Sequence, residues 1–213
     1  MTGDMLSRLK RADQALYEWV GRRHTPAVDR PLRALSRMAD KSLLWMGVAA
    51  VVAAGGGARG RRAALHGLVS IGVTSALVNA VLKPLYRRRR PTRATAASSA
   101  RHVPIPGSSS FPSGHAASAA AFANAVGRGL PALAIPVGAL AAAVAYSRVH
   151  TGVHYPGDVI AGSVVGTVFG RLVPRVAERR RVAGTSPGAQ APGDTSVPCG
   201  VASQGAPTSP ATA

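Results

Sequence analysis

Ala63–Leu82 reads AALHGLVSIGVTSALVNAVL and is followed at once by KPLYRRRRP over Lys83–Pro91. This run carries no charge and has the roughly 20 residues that a straight helix needs to cross about 30 Å of hydrocarbon. The basic cluster behind it marks where the chain returns to water. Four further apolar stretches, Leu43–Ala54, Ala116–Val126, Ala132–Tyr146 and Val159–Val173, are shorter. Buried helices of a soluble bundle give a similar pattern. These stretches, however, lack polar faces, and most reach spanning length when extended through their Gly, Ser and Thr neighbours. The chain therefore reads as all-α: a polytopic membrane helical bundle of about five to six helices.

The composition narrows the class further. The chain has 213 residues with 26 Lys+Arg against 8 Asp+Glu, a formal net charge of +18, which suits one domain with tails. Cys199 is the sole cysteine, so no disulfide framework is possible, and no Cys/His spacing suits structural zinc. Gly and Pro break every stretch that could wind into a coiled coil, and no fixed-period repeat occurs. The cationic residues cluster at Arg59, Arg61 and Arg62, at Arg87–Arg90, and at Arg175 with Arg179–Arg181. Flanking apolar spans, such clusters suit anionic lipid and topology control. Nucleic acid is not the expected partner, because no binding motif is present and aromatics are only 4% of residues.

Residues 1–40 form an amphipathic N-terminal segment. Leu6, Leu9, Asp13, Leu16, Trp19 and Val20 recur at near-helical spacing, with Lys10, Arg11 and Glu18 elsewhere. The helix either lies in the membrane interface, anchored by Tyr17 and Trp19, or packs on its own domain. It has neither the apolar core nor the cleavage site of a signal peptide. Gly162, Gly166 and Gly170 fall four apart, a spacing that lets helix backbones approach closely in a bilayer. Residues 182–213, rich in Ala, Gly, Pro, Ser and Thr without apolar periodicity, are expected to be a disordered tail.

Three polar clusters interrupt the apolar chain at helix ends: Lys83–Pro91, Phe111–His115, and Ser147-Arg148 with His150, His154 and Asp158. Alternating helix direction brings all three to one membrane face. Lys83, Arg90 and Arg148 offer positive charge and multiple donors to a phosphate or pyrophosphate. Ser113 and Gly114 stand where a helix begins, so free backbone N–H groups can face the same anion. Asp158, four residues after His154, can fix its tautomer and leave the other ring nitrogen as nucleophile. His115 can protonate a leaving oxygen and then activate water. Asp158 has a second reading as a cap of the last helix, His150 has no assigned role, and His24, His66 and His102 read as satisfied polar residues.

These residues resemble the type 2 phosphatidic acid phosphatase superfamily. Lys83 with Arg90-Pro91 is similar to its first signature, Pro112-Ser113-Gly114-His115 to its second, and Ser147-Arg148 with His154 and Asp158 to its third. The resemblance covers about residues 41–175, the membrane phosphatase domain. It implies that Lys83, Arg90, Ser113, Gly114 and Arg148 bind the phosphoryl group. His154 becomes phosphohistidine, oriented by Asp158, and His115 serves as acid and then base. It implies no metal and no other cofactor, the cations neutralising charge in the place of Mg²⁺.

The expected activity is hydrolysis of a lipid phosphate or pyrophosphate: phosphatidic acid, phosphatidylglycerol phosphate or a polyprenyl (pyro)phosphate. The alternatives are a vanadate-dependent haloperoxidase and a non-catalytic basic membrane protein that binds anionic lipid. The expected location is the cell membrane, multi-pass, with the site on the extracytoplasmic side. Arg59–Arg62, Arg128 and Arg175–Arg181 then lie inside, as charge rules require, while the basic N-terminal segment is left outside unless it re-enters or spans.

Overall fold

The computed structural model describes residues 2–23, 26–92 and 103–184. The chain beyond 184, where most of the expected tail falls, lies outside the described residues, as do His24 and His102. Among the described residues seven principal helices follow one another: α1 (Thr2–Arg22), α2 (Pro26–Met38), α3 (Leu43–Gly55), α4 (Gly57–Leu85), α5 (Gly114–Gly129), α6 (Ala134–His150) and α7 (Pro156–Gly184). Each of the five apolar stretches is a helix. Of these helices, α4, α6 and α7 are long and apolar enough to cross a membrane; α2 and α3, bent by 80° at Asp40–Ser42, together make a possible fourth span. The last helix runs on to Gly184, past the residues expected to end the domain and into the first residues expected to be tail.

Helix α5 is the hub. Its sequence is mostly alanine, and Ala116, Ala117, Ala119, Ala121, Phe122, Ala125 and Val126 are buried against α4, α6 and α7. Small side chains let the neighbouring backbones come close, and in lipid this packing has to replace the hydrophobic drive of water. The contact with α7 is the tightest. A Cβ on Gly162, Gly166 or Gly170 would collide with the carbonyl oxygens of Ser113, Ala117 and Ala121 in turn. The matching order shows that α5 and α7 run parallel, which puts their two N-termini side by side. Helix α4 runs the other way, with Gly67 against Phe122 and Gly129 against Ala63. On the far side, Trp45 of α3 packs on Phe122 with ring centroids 5.0 Å apart.

Helix α4 ends in a π turn over Val78–Leu82, just ahead of Pro84. Proline cannot donate to the carbonyl one turn back, and its ring crowds that carbonyl, so the ladder widens there. The wider turn delivers Lys83 next to Gly114 at the start of α5.

Helix α1 departs from one expectation. Trp19 is exposed, as an interfacial anchor should be, but Tyr17 is buried, its ring 5.4 Å from that of Tyr155. The helix thus packs on the domain through Asp13, Tyr17 and Val20, while Leu6, Leu9, Leu16 and Trp19 face outward.

Replacing Gly166 with Val should wedge α5 and α7 apart and cost about 1–3 kcal/mol, lowering the melting temperature by several degrees. Gly72→Ala, whose new Cβ meets nothing within 4 Å, should hold or raise the melting temperature, alanine being the better helix former. Thermal unfolding in detergent by circular dichroism would test both, and a wild-type melt for Gly166→Val would overturn the close-packing account.

Candidate active site

The C-terminal end of α4, the N-terminus of α5 and the turn between α6 and α7 meet at one end of the bundle. The sharpest feature is the histidine of that turn. His154 is only 2% exposed, and its Nδ1 lies 3.5 Å from Asp158 Oδ2. Its Nε2 faces the Arg90 guanidinium at 3.2 Å. His154 precedes α7 rather than lying within it, and its backbone N–H donates to the Arg148 carbonyl at 3.2 Å. Asp158, fully buried in the first turn of α7, accepts from the Ser110 hydroxyl and, at 3.0 Å, from the Tyr155 N–H.

Arg90 is held from several sides. Nε donates to the Ser108 carbonyl at 3.0 Å and Nη1 to the Val153 carbonyl at 2.9 Å. Lys83 Nζ donates to Asn79 Oδ1 at 2.9 Å and reaches Ser108 Oγ at 3.3 Å. One loop, Ile105–Ser109, therefore lines up both cations along a cavity of about 750 Å³. Ser113 is the N-cap of α5: its side chain accepts from Ala116 N–H, and its own N–H donates to the Asp158 carbonyl at 2.9 Å. Gly114 and His115 occupy the first helical positions, whose N–H groups have no acceptor within the helix.

Arg148 is buried. Its Nη1 donates to Ser36 Oγ at 2.6 Å and lies 3.5 Å from Asp40 Oδ1. Its Nε has no hydrogen-bond partner among the described residues, a spare donor on a charged group. The same Asp40 oxygen is 2.8 Å from His115 Nε2. The structure thus brings together all eight residues singled out in the sequence.

It also adds three that the motifs did not mark: Asp40, Ser110 and Arg88. Arg88 Nη1 donates to Asp158 Oδ1 at 2.8 Å. In the sequence Arg88 is one of four consecutive arginines, and only the fold tells it apart from its neighbours. His150 is set aside from the site, its Nε2 paired with Asp29 Oδ1 at 2.9 Å where α2 crosses α6. His66 sits elsewhere, near Arg62, Arg181 and Glu178. Among the described residues no group of three or more His, Cys, Asp or Glu could hold a metal ion.

Burial holds His154 well below the usual imidazole range, to about 4, with Arg90 and Arg148 adding to the effect and Asp158 opposing it. The ring is then neutral at physiological pH, with its Nε2 lone pair turned toward Arg90. An unfolded chain takes this proton near 6.5, so the folded state gains nothing from it above that pH. Below it, the unfolded state binds the extra proton, and stability falls progressively between 6.5 and about 4. Histidine-labelled NMR of the protein in detergent should show the His154 ring still neutral at pH 5.5; a midpoint near 6.5 would contradict this environment.

Residues 63–181 match the model of the PAP2 superfamily. A decaprenylphosphoryl-5-phosphoribose phosphatase from Mycobacterium tuberculosis is 36% identical over 161 residues, 72% of this chain and 86% of that protein. Its namesake from Mycolicibacterium smegmatis is 37% identical over 144 residues, 64% of this chain and 72% of that protein. The crystal structure of a transmembrane PAP2 type phosphatidylglycerolphosphate phosphatase from Bacillus subtilis superposes with a TM-score of 0.63 at 27% identity, covering 81% of this chain and 87% of the other. Aquifex aeolicus LpxE shares the fold, with a TM-score of 0.61 at 21% identity over 76% of this chain and 94% of its own. The motifs, the helical bundle and these matches agree: the chain belongs to the PAP2 superfamily, the family its three signatures resemble.

Proposed function

We propose that this multi-pass membrane protein is a lipid phosphate phosphatase working through a phosphohistidine at His154. One observation supports the reading most: a buried, neutral imidazole has a carboxylate behind Nδ1 and a guanidinium in front of Nε2. A phosphoryl group held by Lys83, Arg90, Arg148 and the Ser113–Gly114 helix start presents its phosphorus to Nε2. Attack forms the P–N bond and breaks the P–O bond to the lipid head group. His115 gives its proton to the leaving oxygen, then takes one from the water that attacks phosphorus. The P–N bond breaks and inorganic phosphate leaves, with His154 and His115 restored. Asp158 favours the Nδ1–H tautomer and the positive charge that grows on the ring. The cations stabilise charge spread over the phosphoryl oxygens.

The mycobacterial relatives are named for a phosphorylated sugar on a polyprenyl phosphate, and the Bacillus subtilis neighbour for phosphatidylglycerolphosphate. We therefore rank a lipid-linked phosphomonoester first, its chain remaining in the bilayer while the head group enters from the side. The basic clusters at Arg59–Arg62, Arg128 and Arg175–Arg181 belong to the helix ends opposite the site. By the positive-inside rule those ends are cytoplasmic, which puts the site on the extracytoplasmic face of the cell membrane.

Assaying detergent-purified protein against polyprenylphosphoryl-5-phosphopentose, phosphatidic acid, phosphatidylglycerol phosphate and polyprenyl pyrophosphate should reveal phosphate release from at least the first. In His115→Asn, with the good leaving group of p-nitrophenyl phosphate, an acid-labile phosphoenzyme should accumulate, and His154→Gln should form none. Phosphate release by His154→Gln at the wild-type rate would end the proposal. Lys83→Met should lower kcat/KM by roughly 10²–10³, the loss typical of one preorganised donor to a transition-state oxyanion. For sidedness, Gly107→Cys in a Cys199→Ser background should react with an impermeant thiol reagent on intact cells. Labelling only after lysis would reverse the orientation.

A further inference from the structure

The N-terminal helix α1 lies outside the three signatures and outside the matched family model, which begins at residue 63. Its one inward acidic residue nevertheless reaches the heart of the site. Asp13 Oδ2 accepts from Arg88 Nη2 at 2.6 Å, and Asp13 Oδ1 accepts from the Gly157 N–H at 2.7 Å. Arg88 spends its other terminal nitrogen on Asp158 Oδ1 at 2.8 Å. The guanidinium carbon also lies 4.2 Å from the centroid of the Tyr155 ring, which in turn contacts Tyr17 of α1. Asp13 and Tyr17 are four apart on one helix and grip the same turn, Tyr155–Asp158, that follows the nucleophilic histidine.

We propose that Asp13 and Arg88 form a positioning pair for Asp158, so that helix α1 is a working part of the catalytic site. The inference rests on reading His154 as the nucleophile. The geometry gives each participant one task. Asp158 Oδ2 is committed to His154, Ser110 and the Tyr155 N–H, so Oδ1 alone is left to be neutralised, and Arg88 does this. A lone guanidinium beside Asp158 could turn toward either oxygen, or toward the substrate phosphate alongside Arg90. Asp13 removes that freedom, because a planar fork bonded to two carboxylates has one orientation. Burial works against the charge on Arg88, yet its hydrogen bonds and charge contacts with Asp13 and Asp158 outweigh the burial and hold its pKa above the ordinary range. Asp13 also places a carboxylate at the N-terminus of α7, where the helix dipole favours it. Arg88 is thereby spent on carboxylates, leaving Lys83, Arg90 and Arg148 for the phosphoryl group.

The test uses the full chain in detergent, with p-nitrophenyl phosphate as the probe and the His154 NMR signal as a second readout independent of turnover. Asp13→Asn and Arg88→Met should each lower kcat by roughly 10- to 100-fold, as orienting partners of catalytic groups commonly do, with KM changed less than about threefold. Both should shift the His154 ring resonances, and Asp13→Glu should recover part of the loss. The double variant should fall well short of the product of the two single losses, since Asp13 acts on Asp158 chiefly through Arg88. Arg88→Lys keeps the charge but cannot fork to two carboxylates; it should fold as the wild type does and still lose kcat, which decides the matter if Arg88→Met fails to fold. Folded variants with wild-type kcat and unshifted His154 signals would overturn the inference, as would additive losses in the double variant. Wild-type protein inert toward every substrate would instead sink the phosphatase reading, while the NMR shifts would still report on the pair.

Discussion

A buried carboxylate holds this end of the molecule together. Asp158 is fully buried, and a charge taken out of water has to be repaid by hydrogen bonds and opposite charge or it will not stay ionised. Its partners come from all over the chain: the Ser110 hydroxyl from the loop before α5, Arg88 from the segment after α4, and the Tyr155 N–H and His154 from the turn into α7. Each partner brings its own segment with it. Ser110 donates its backbone N–H to the Arg88 carbonyl at 2.9 Å, so the two loops are also tied to each other. Satisfying this one anion draws these segments together beside the site.

That assembly is possible because α5 and α7 begin at the same level. Three glycines on α7 lie over three successive turns of α5, and the Ser113 N–H donates to the Asp158 carbonyl at 2.9 Å. The hydrogen bond locks the two helix starts together, so the N–H groups at Gly114 and the imidazole at His154 face a common space. Side chains on these glycines would move one helix start away from the other. The seam that looks like generic membrane packing therefore sets the distance between the anion-binding helix start and the histidine.

The charge distribution is asymmetric in a useful way. Arg88 is bonded to two carboxylates, and Arg148 shares Asp40 with His115. Among the described residues, Lys83 and Arg90 hydrogen-bond to neutral oxygens and the His154 ring. Cations satisfied by neutral dipoles keep their full field for an incoming dianion, and Arg148 keeps its spare Nε for it, whereas Arg88, bonded to two carboxylates, serves architecture. The same residue type thus does two jobs two positions apart in the sequence.

Much of this was legible in the linear chain. Twenty uncharged residues can satisfy their backbone in lipid only as a helix, and the small-residue spacing on α7 signals close packing. The signatures carry Lys83, Arg90, Ser113, Gly114, His115, Arg148, His154 and Asp158, because reaction chemistry restricts residue type and local spacing. What periodicity could not separate was residues of the same type with different neighbours. Arg88 sits in a run of arginines, Asp13 interrupts an apolar stripe without a visible cause, and Tyr17 looks as interfacial as Trp19. His150 and His154 are four residues apart, yet the first pairs with Asp29 and the second faces Arg90. Local hydropathy and chemical type, both readable along the chain, fix the helices, their membrane character and the reactive groups. Tertiary structure alone decided which carboxylate each cation meets, because that depends on the spacing between helix ends far apart in the chain, and electrostatic pairing acts over only a few ångströms.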